Sequence, residues 1–148
     1  MRLASVLRNL PADKSKEDRT LDVYQQPVSR SDLKHLENYL DQLWKAANIN
    51  VEFPPHFFER LNDERNKRQI TVGELRKIFN DAFKKYSSHF SKIKDFEGVI
   101  KSISTAINVP FALDFDRRTN MLDLVAKTIM RKKDFKTPDK TFAVENKR

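Results

Sequence analysis

Two polar side chains stand out in a stretch that otherwise reads as core: His56 and Arg60, in Pro55-His-Phe-Phe-Glu-Arg60-Leu61. An imidazole titrates near neutrality and can move a proton as a general acid or base. A guanidinium one helical turn later presents a planar fork of donors that grips a phosphate through two bonds at once. The pair suits cleavage of a phosphodiester by its adjacent 2′-hydroxyl, which needs a base, an acid and a clamp for the charged phosphorane. The same two residues would also serve as a helix start and a surface ion pair.

A second group of cations sits near the other end of the chain: Lys127, Arg131, Lys132 and Lys133. If 121–131 is one strand, Lys127 and Arg131 share a face with Val125 and Ile129. They would then form a cationic floor for phosphate. His56, Arg60, Lys127 and Arg131 are therefore the candidate residues for such a site. Arg65, Arg68, Lys132 and Lys133 are the expected nucleic-acid contacts. A sheet edge protected from aggregation by its charge would look the same. Phe135, just past the cluster, can stack on a base or pack in the core. Of the other two histidines, His35 falls on the polar side of a helix and His89 in an irregular stretch.

Other chemistries are disfavoured or excluded. There is no cysteine, so disulfides, thiolate catalysis and cysteine-based zinc sites are excluded. No two histidines lie close in sequence, and Asp114 and Asp116 read as hairpin-end residues, so no metal site and no cofactor is expected. With two glycines, Gly73 and Gly98, a glycine-rich phosphate loop is impossible. No apolar run approaches the roughly 18 residues of a membrane span.

The bulk numbers frame these residues. Lys plus Arg outnumber Asp plus Glu by 29 to 21, a net charge of +8 that biases partners toward polyanions. Eleven phenylalanines argue for a packed core in the middle of the chain rather than disorder. The 148 residues suit one domain. The expected layout is an arm and linker over 1–30, an α+β domain over 31–135 and a basic tail over 136–148.

The elements that must position the chemistry follow from periodicity. In 31–48, Leu33, Leu36, Tyr39, Leu40, Leu43, Trp44 and Ala47 fall on one helical face, with Ser29 or Ser31 as cap. Residues 49–53 alternate and predict a strand. Pro55 opens a short helix carrying His56 and Arg60. After a charged loop over 62–69, Thr71-Val-Gly-Glu74 is a capping box. It starts a second amphipathic helix through Leu75, Ile78, Phe79, Ala82, Phe83 and Tyr86. Residues 87–108 fit helix or strand. Residues 109–115 and 121–131 predict a β-hairpin around a polar turn. The whole predicts α+β: N-terminal helices packed on a small antiparallel β-sheet. Leu3, Val6, Leu7 and Leu10 make a short apolar stripe in the arm, a candidate contact for the body of the domain or for a protein partner.

The run Val51-Glu-Phe-Pro-Pro-His56-Phe-Phe-Glu-Arg60-Leu-Asn-Asp-Glu-Arg65, then Ile70-Thr-Val-Gly-Glu-Leu75, resembles the RegB endoribonucleases of tailed phages. More distantly it is similar to RelE-type and BrnT-type toxins, whose fold is shared with barnase. The resemblance spans about residues 31–86. It implies a metal-independent endoribonuclease acting on RNA. In the catalytic set it implies, His56 would be the acid or base, Arg60 a phosphate contact, and Lys127 and Arg131 cationic catalytic groups from the sheet. It also implies a phage protein at work in the host cytoplasm. The alternative is a non-catalytic virion or accessory protein that binds a protein partner or nucleic acid; the second histidine of such enzymes has only His89 as counterpart.

Overall fold

The computed structural model describes residues 26–145. The first long helix, α1 (Arg30–Trp44), begins where Ser29 accepts a hydrogen bond from the Asp32 amide. It buries Leu33, Leu36, Leu40 and Trp44. A 3₁₀ turn, Lys45–Ala47, follows, and Asn48 ends it in the left-handed region at φ 64°. Asparagine tolerates that conformation better than most residues. The chain then enters β1 (Ile49–Glu52) and α2 (Pro55–Leu61), the latter opened by Pro55 in its first turn. A second 3₁₀ turn, Glu64–Asn66, leads to α3 (Val72–Lys92). The capping box is present in full: Thr71 accepts from the Glu74 amide, and Glu74 accepts from the Thr71 amide. The helix runs past Tyr86 to Lys92, so His89 is helical.

The strands are β2 (Phe96–Ser102), β3 (Ile107–Asp116), β4 (Met121–Ala126), β5 (Met130–Arg131) and β6 (Lys140–Ala143). They form one sheet in the order β1-β4-β3-β2-β6, with β5 also beside β3. The class is α+β, but the sheet is mixed rather than antiparallel. β1 lies parallel to β4 and β6 parallel to β2, while β3 is antiparallel to its neighbours. Helices α2 and α3 separate β1 from the rest of the sheet, and a long connection of that kind permits parallel pairing.

Two further expectations are corrected. The stretch 121–131 is not one strand. Leu122, Leu124 and Ala126 are buried in alternation, then the ladder stops, and Ile129 takes the next buried position instead of Thr128. The parity that put Lys127 and Arg131 on one face is thereby lost. Nor is 136–148 simply a tail: β6 joins the sheet edge, and Phe142 and Val144 are in the core. The Phe142 ring sits so close over Gly98 that a Cβ there would lie 2.9 Å from it and 3.1 Å from the Lys140 carbonyl. That approach is what the position requires of glycine.

The core fills the space between the helices and the sheet. Trp44 and Phe90 from the helices meet Phe111 and Phe142 from the strands, with Phe90 and Phe111 centroids 5.3 Å apart. Both outer strands have backbone groups bound by helix side chains. On β1 the Val51 amide donates to Asp41 (2.7 Å), and the Phe53 amide just beyond it donates to Glu37 (2.8 Å). Burial pushes the Asp41 carboxyl above its ordinary range, and the Val51 amide pulls against that rise. On β6 the Ala143 carbonyl accepts from Lys85 and Tyr86. Such contacts keep a sheet edge from templating another strand.

The apolar stripe Leu3 to Leu10 lies outside the described residues. Just before α1, Val28 is buried and exchanges two backbone bonds with the Asn62 side chain (2.8 and 2.9 Å). The chain before α1 is thus fastened to the end of α2. No helix among the described residues is long and apolar enough to cross a membrane.

Candidate functional site

A cleft of about 900 Å³ opens between two segments distant in sequence. One wall is α2 and the turn after it, contributing His56, Arg60, Asp63, Arg65, Asn66, Lys67 and Arg68. The other is 128–133, with Ala106 from the β2–β3 turn beside it. The sequence-predicted residues His56, Arg60, Arg65, Arg68, Arg131, Lys132 and Lys133 therefore converge. Lys127 does not. Its amide still bonds the Pro110 carbonyl of β3 (2.9 Å) and its ammonium pairs with Glu97 of β2 at 3.0 Å, outside the cleft; the extra residue that follows shifts Arg131, not Lys127, onto the cleft side. His89 is also elsewhere, near the Phe90 and Phe142 rings at the far end of α3.

The walls are held together by two residues. Asn66 is buried, donates to the Arg60 carbonyl (2.9 Å) and accepts from the Arg131 amide (3.0 Å). It therefore ties the end of α2 to β5. Arg131 is the larger strut. Its guanidinium donates to the carbonyls of Arg68 (3.3 Å), Gln69 (3.1 Å) and Thr105 (2.9 Å), and to both oxygens of Glu74 (2.9 and 3.4 Å). Its side chain is 10 % exposed. Arginine has five N–H donors, and here they are engaged by protein acceptors. The expectation that Arg131 meets a reacting phosphate is corrected to a structural role in the cleft wall.

The remaining cations differ in how free they are. Arg60 and Arg65 share the Asp63 carboxylate at 3.2 and 2.8 Å. Arg68 reaches Glu74 at 3.5 Å while its side chain stays 66 % exposed. Lys67, Lys132 and Lys133 are exposed and form no ion pair with a described residue. Lys67 is also held at φ 69°, ψ −44°, with the Arg68 amide bonded to the Asn66 carbonyl (2.7 Å). This is a γ-turn of the rare positive-φ kind, a strained conformation for a residue with a side chain. It puts the Lys67 side chain on the cleft lip.

Electrostatically, the cleft gathers seven Lys or Arg residues around Asp63, with Glu74 behind them. A concave surface lined by one sign of charge raises the local concentration of polyanions. Chemically, His56 is exposed at the rim. Asp63, the carboxylate of the cleft, is engaged by Arg60, by the Arg65 guanidinium and by the Arg65 amide. No cluster of three metal-binding side chains occurs among the described residues. Asn66 and Thr128 line the cleft without having been expected there. A lone Asn in a charged loop and a Thr in a stretch read as a strand carry no signal of it.

Comparison with protein-family models, with curated proteins and with solved structures gives no match.

Proposed function

We propose that the protein binds the phosphate backbone of nucleic acid, RNA first among the candidates, in the cleft between α2 and β5. The observation that supports this is the meeting of Arg60, Arg65, Lys67, Arg68, Lys132 and Lys133 from segments some sixty residues apart in sequence. Three of these have no ionic partner among the described residues and are the ones with most to gain from phosphate. Fluorescence anisotropy with a labelled oligonucleotide tests the reading. The double variant Lys132→Ala/Lys133→Ala should bind about tenfold more weakly at moderate salt. Equal binding by wild type and variant would overturn it.

A second reading, cleavage of RNA by its own 2′-hydroxyl, is favoured by the placement of His56 in the same cleft one turn before Arg60. General acid–base groups of this kind contribute about 10²–10⁴-fold each. Incubating RNA with the protein in EDTA should then yield cyclic-phosphate ends, and His56→Ala should abolish them. Binding without such products leaves the protein as a nucleic-acid-binding module, the reading that the engagement of Arg131 and Asp63 by protein groups favours.

A further inference from the structure

We infer that Glu145, outside the cleft, is a positioning residue for it: its carboxylate locks the β2–β3 turn, and that turn holds the β5 wall in place. The consequence for binding rests on reading the cleft as a nucleic-acid site; the mechanical coupling does not.

The turn over 102–106 presents donors on one side and acceptors on the other. Toward Glu145, the Ser102 and Ser104 hydroxyls donate to one carboxylate oxygen (2.7 and 2.6 Å). The Ile103 amide donates to the other oxygen (2.6 Å). Thr105 donates to Ser102 (2.7 Å), extending the chain of bonds one residue further. Charge-assisted bonds of this length are the strong kind, and linked hydroxyls polarise one another. Toward the cleft, the Thr105 carbonyl accepts from the Arg131 guanidinium (2.9 Å). The Ala106 carbonyl accepts from the Lys132 amide (2.8 Å) and from Asn108 (3.2 Å). Ala106, Arg131 and Lys132 all line the cleft.

Ala106 itself is held at φ 61°, a conformation a residue with a side chain keeps only when its surroundings impose it. The bonds to Glu145 on one side and to Arg131 and Lys132 on the other supply that constraint. Removing the carboxylate leaves the donors of the turn without their acceptor, and the turn is free to relax toward ordinary backbone angles. The carbonyls that steady Arg131 and Lys132 would move with it. Lys85 and Tyr86 of α3 anchor the neighbouring Ala143 carbonyl, and Lys85 that of Glu145, so the strand has a second fastening that does not touch the turn.

Hydrogen–deuterium exchange on the full chain reads the coupling directly. In Glu145→Ala, peptides covering 103–106 and 130–133 should both exchange about tenfold faster, because local opening costs less. Glu145→Gln, which keeps an acceptor oxygen, should restore part of the protection. Tyr86→Phe loosens β6 without touching the turn, and should leave 130–133 protected. The same Glu145→Ala protein should bind a labelled oligonucleotide about fivefold more weakly, a size typical of coupling between sites. If Glu145→Ala leaves 130–133 as protected as wild type, the coupling is absent and the inference is wrong. If Tyr86→Phe opens 130–133 equally, strand fraying explains the effect and the inference is also wrong. If exchange rises as expected but the wild type binds no oligonucleotide, the coupling stands and the nucleic-acid reading fails.

Discussion

Arg131 shows how a residue can be rightly placed and wrongly employed. Its place in a basic cluster was legible from the sequence; that the cluster faces the His56 helix was not. Its engagement by Glu74, Gln69, Thr105 and Arg68 was not, because those partners come from three separate segments. Removing one partner of a buried, hydrogen-bonded ion pair strands the other charge, so Arg131→Ala should lower stability by about 3 kcal/mol in urea denaturation. His56 is exposed, and His56→Ala should change stability by no more than about 0.5 kcal/mol. The two variants thus separate a strut from a surface group in the same cleft. A neutral Arg131→Ala would contradict the strut.

At the scale of elements, capping chemistry and helical periodicity were the most legible signals. Ser29, Asn48, Pro55 and the Thr71–Glu74 box stand where local rules put them, because each satisfies backbone groups within a few residues. The sheet was less legible. The alternation in 121–126 continues in sequence past Ala126, but the register on β3 slips by one residue before β5, and nothing local marks the slip. That slip is why Lys127 and Arg131, expected on one face, end up apart. β6 was missed because Thr141-Phe-Ala-Val144 sits among lysines and is short. Its buried face needs Gly98, and Gly98→Ala should overpack that contact and lower the melting temperature, by about 1–3 kcal/mol of stability.

The hold of Glu145 on the β2–β3 turn should depend on pH. Burial pushes the Glu145 carboxyl up, but the hydroxyls of Ser104 and Ser102 and the amides of Ile103 and Ser104 together outweigh that and hold it below its ordinary value of 4.5. A carboxyl lowered by folding contributes stability that is present above the unfolded pKa and lost as pH falls through the folded one. Protection of the 103–106 amides should therefore persist at neutral pH and decline in the acid range below about 4.5 in wild type. In Glu145→Gln that acid step should be missing. An identical acid step in both proteins would assign the titration to another group.

For the whole molecule, the net charge of +8 said only that a polyanion is a suitable partner. The fold adds where: Lys and Arg from 60–68 and 131–133 face one another across a single cleft. Each phosphate neutralised by a Lys or Arg releases counterions, so affinity for a single strand falls with log salt at a slope of about 0.7 per contact. The most direct measurement is that slope, taken by anisotropy for wild type and for Lys132→Ala/Lys133→Ala. Binding through the cleft predicts a steep slope in wild type that is shallower by about 1.4 in the double variant. Equal slopes for the two proteins, or binding insensitive to salt, would contradict it.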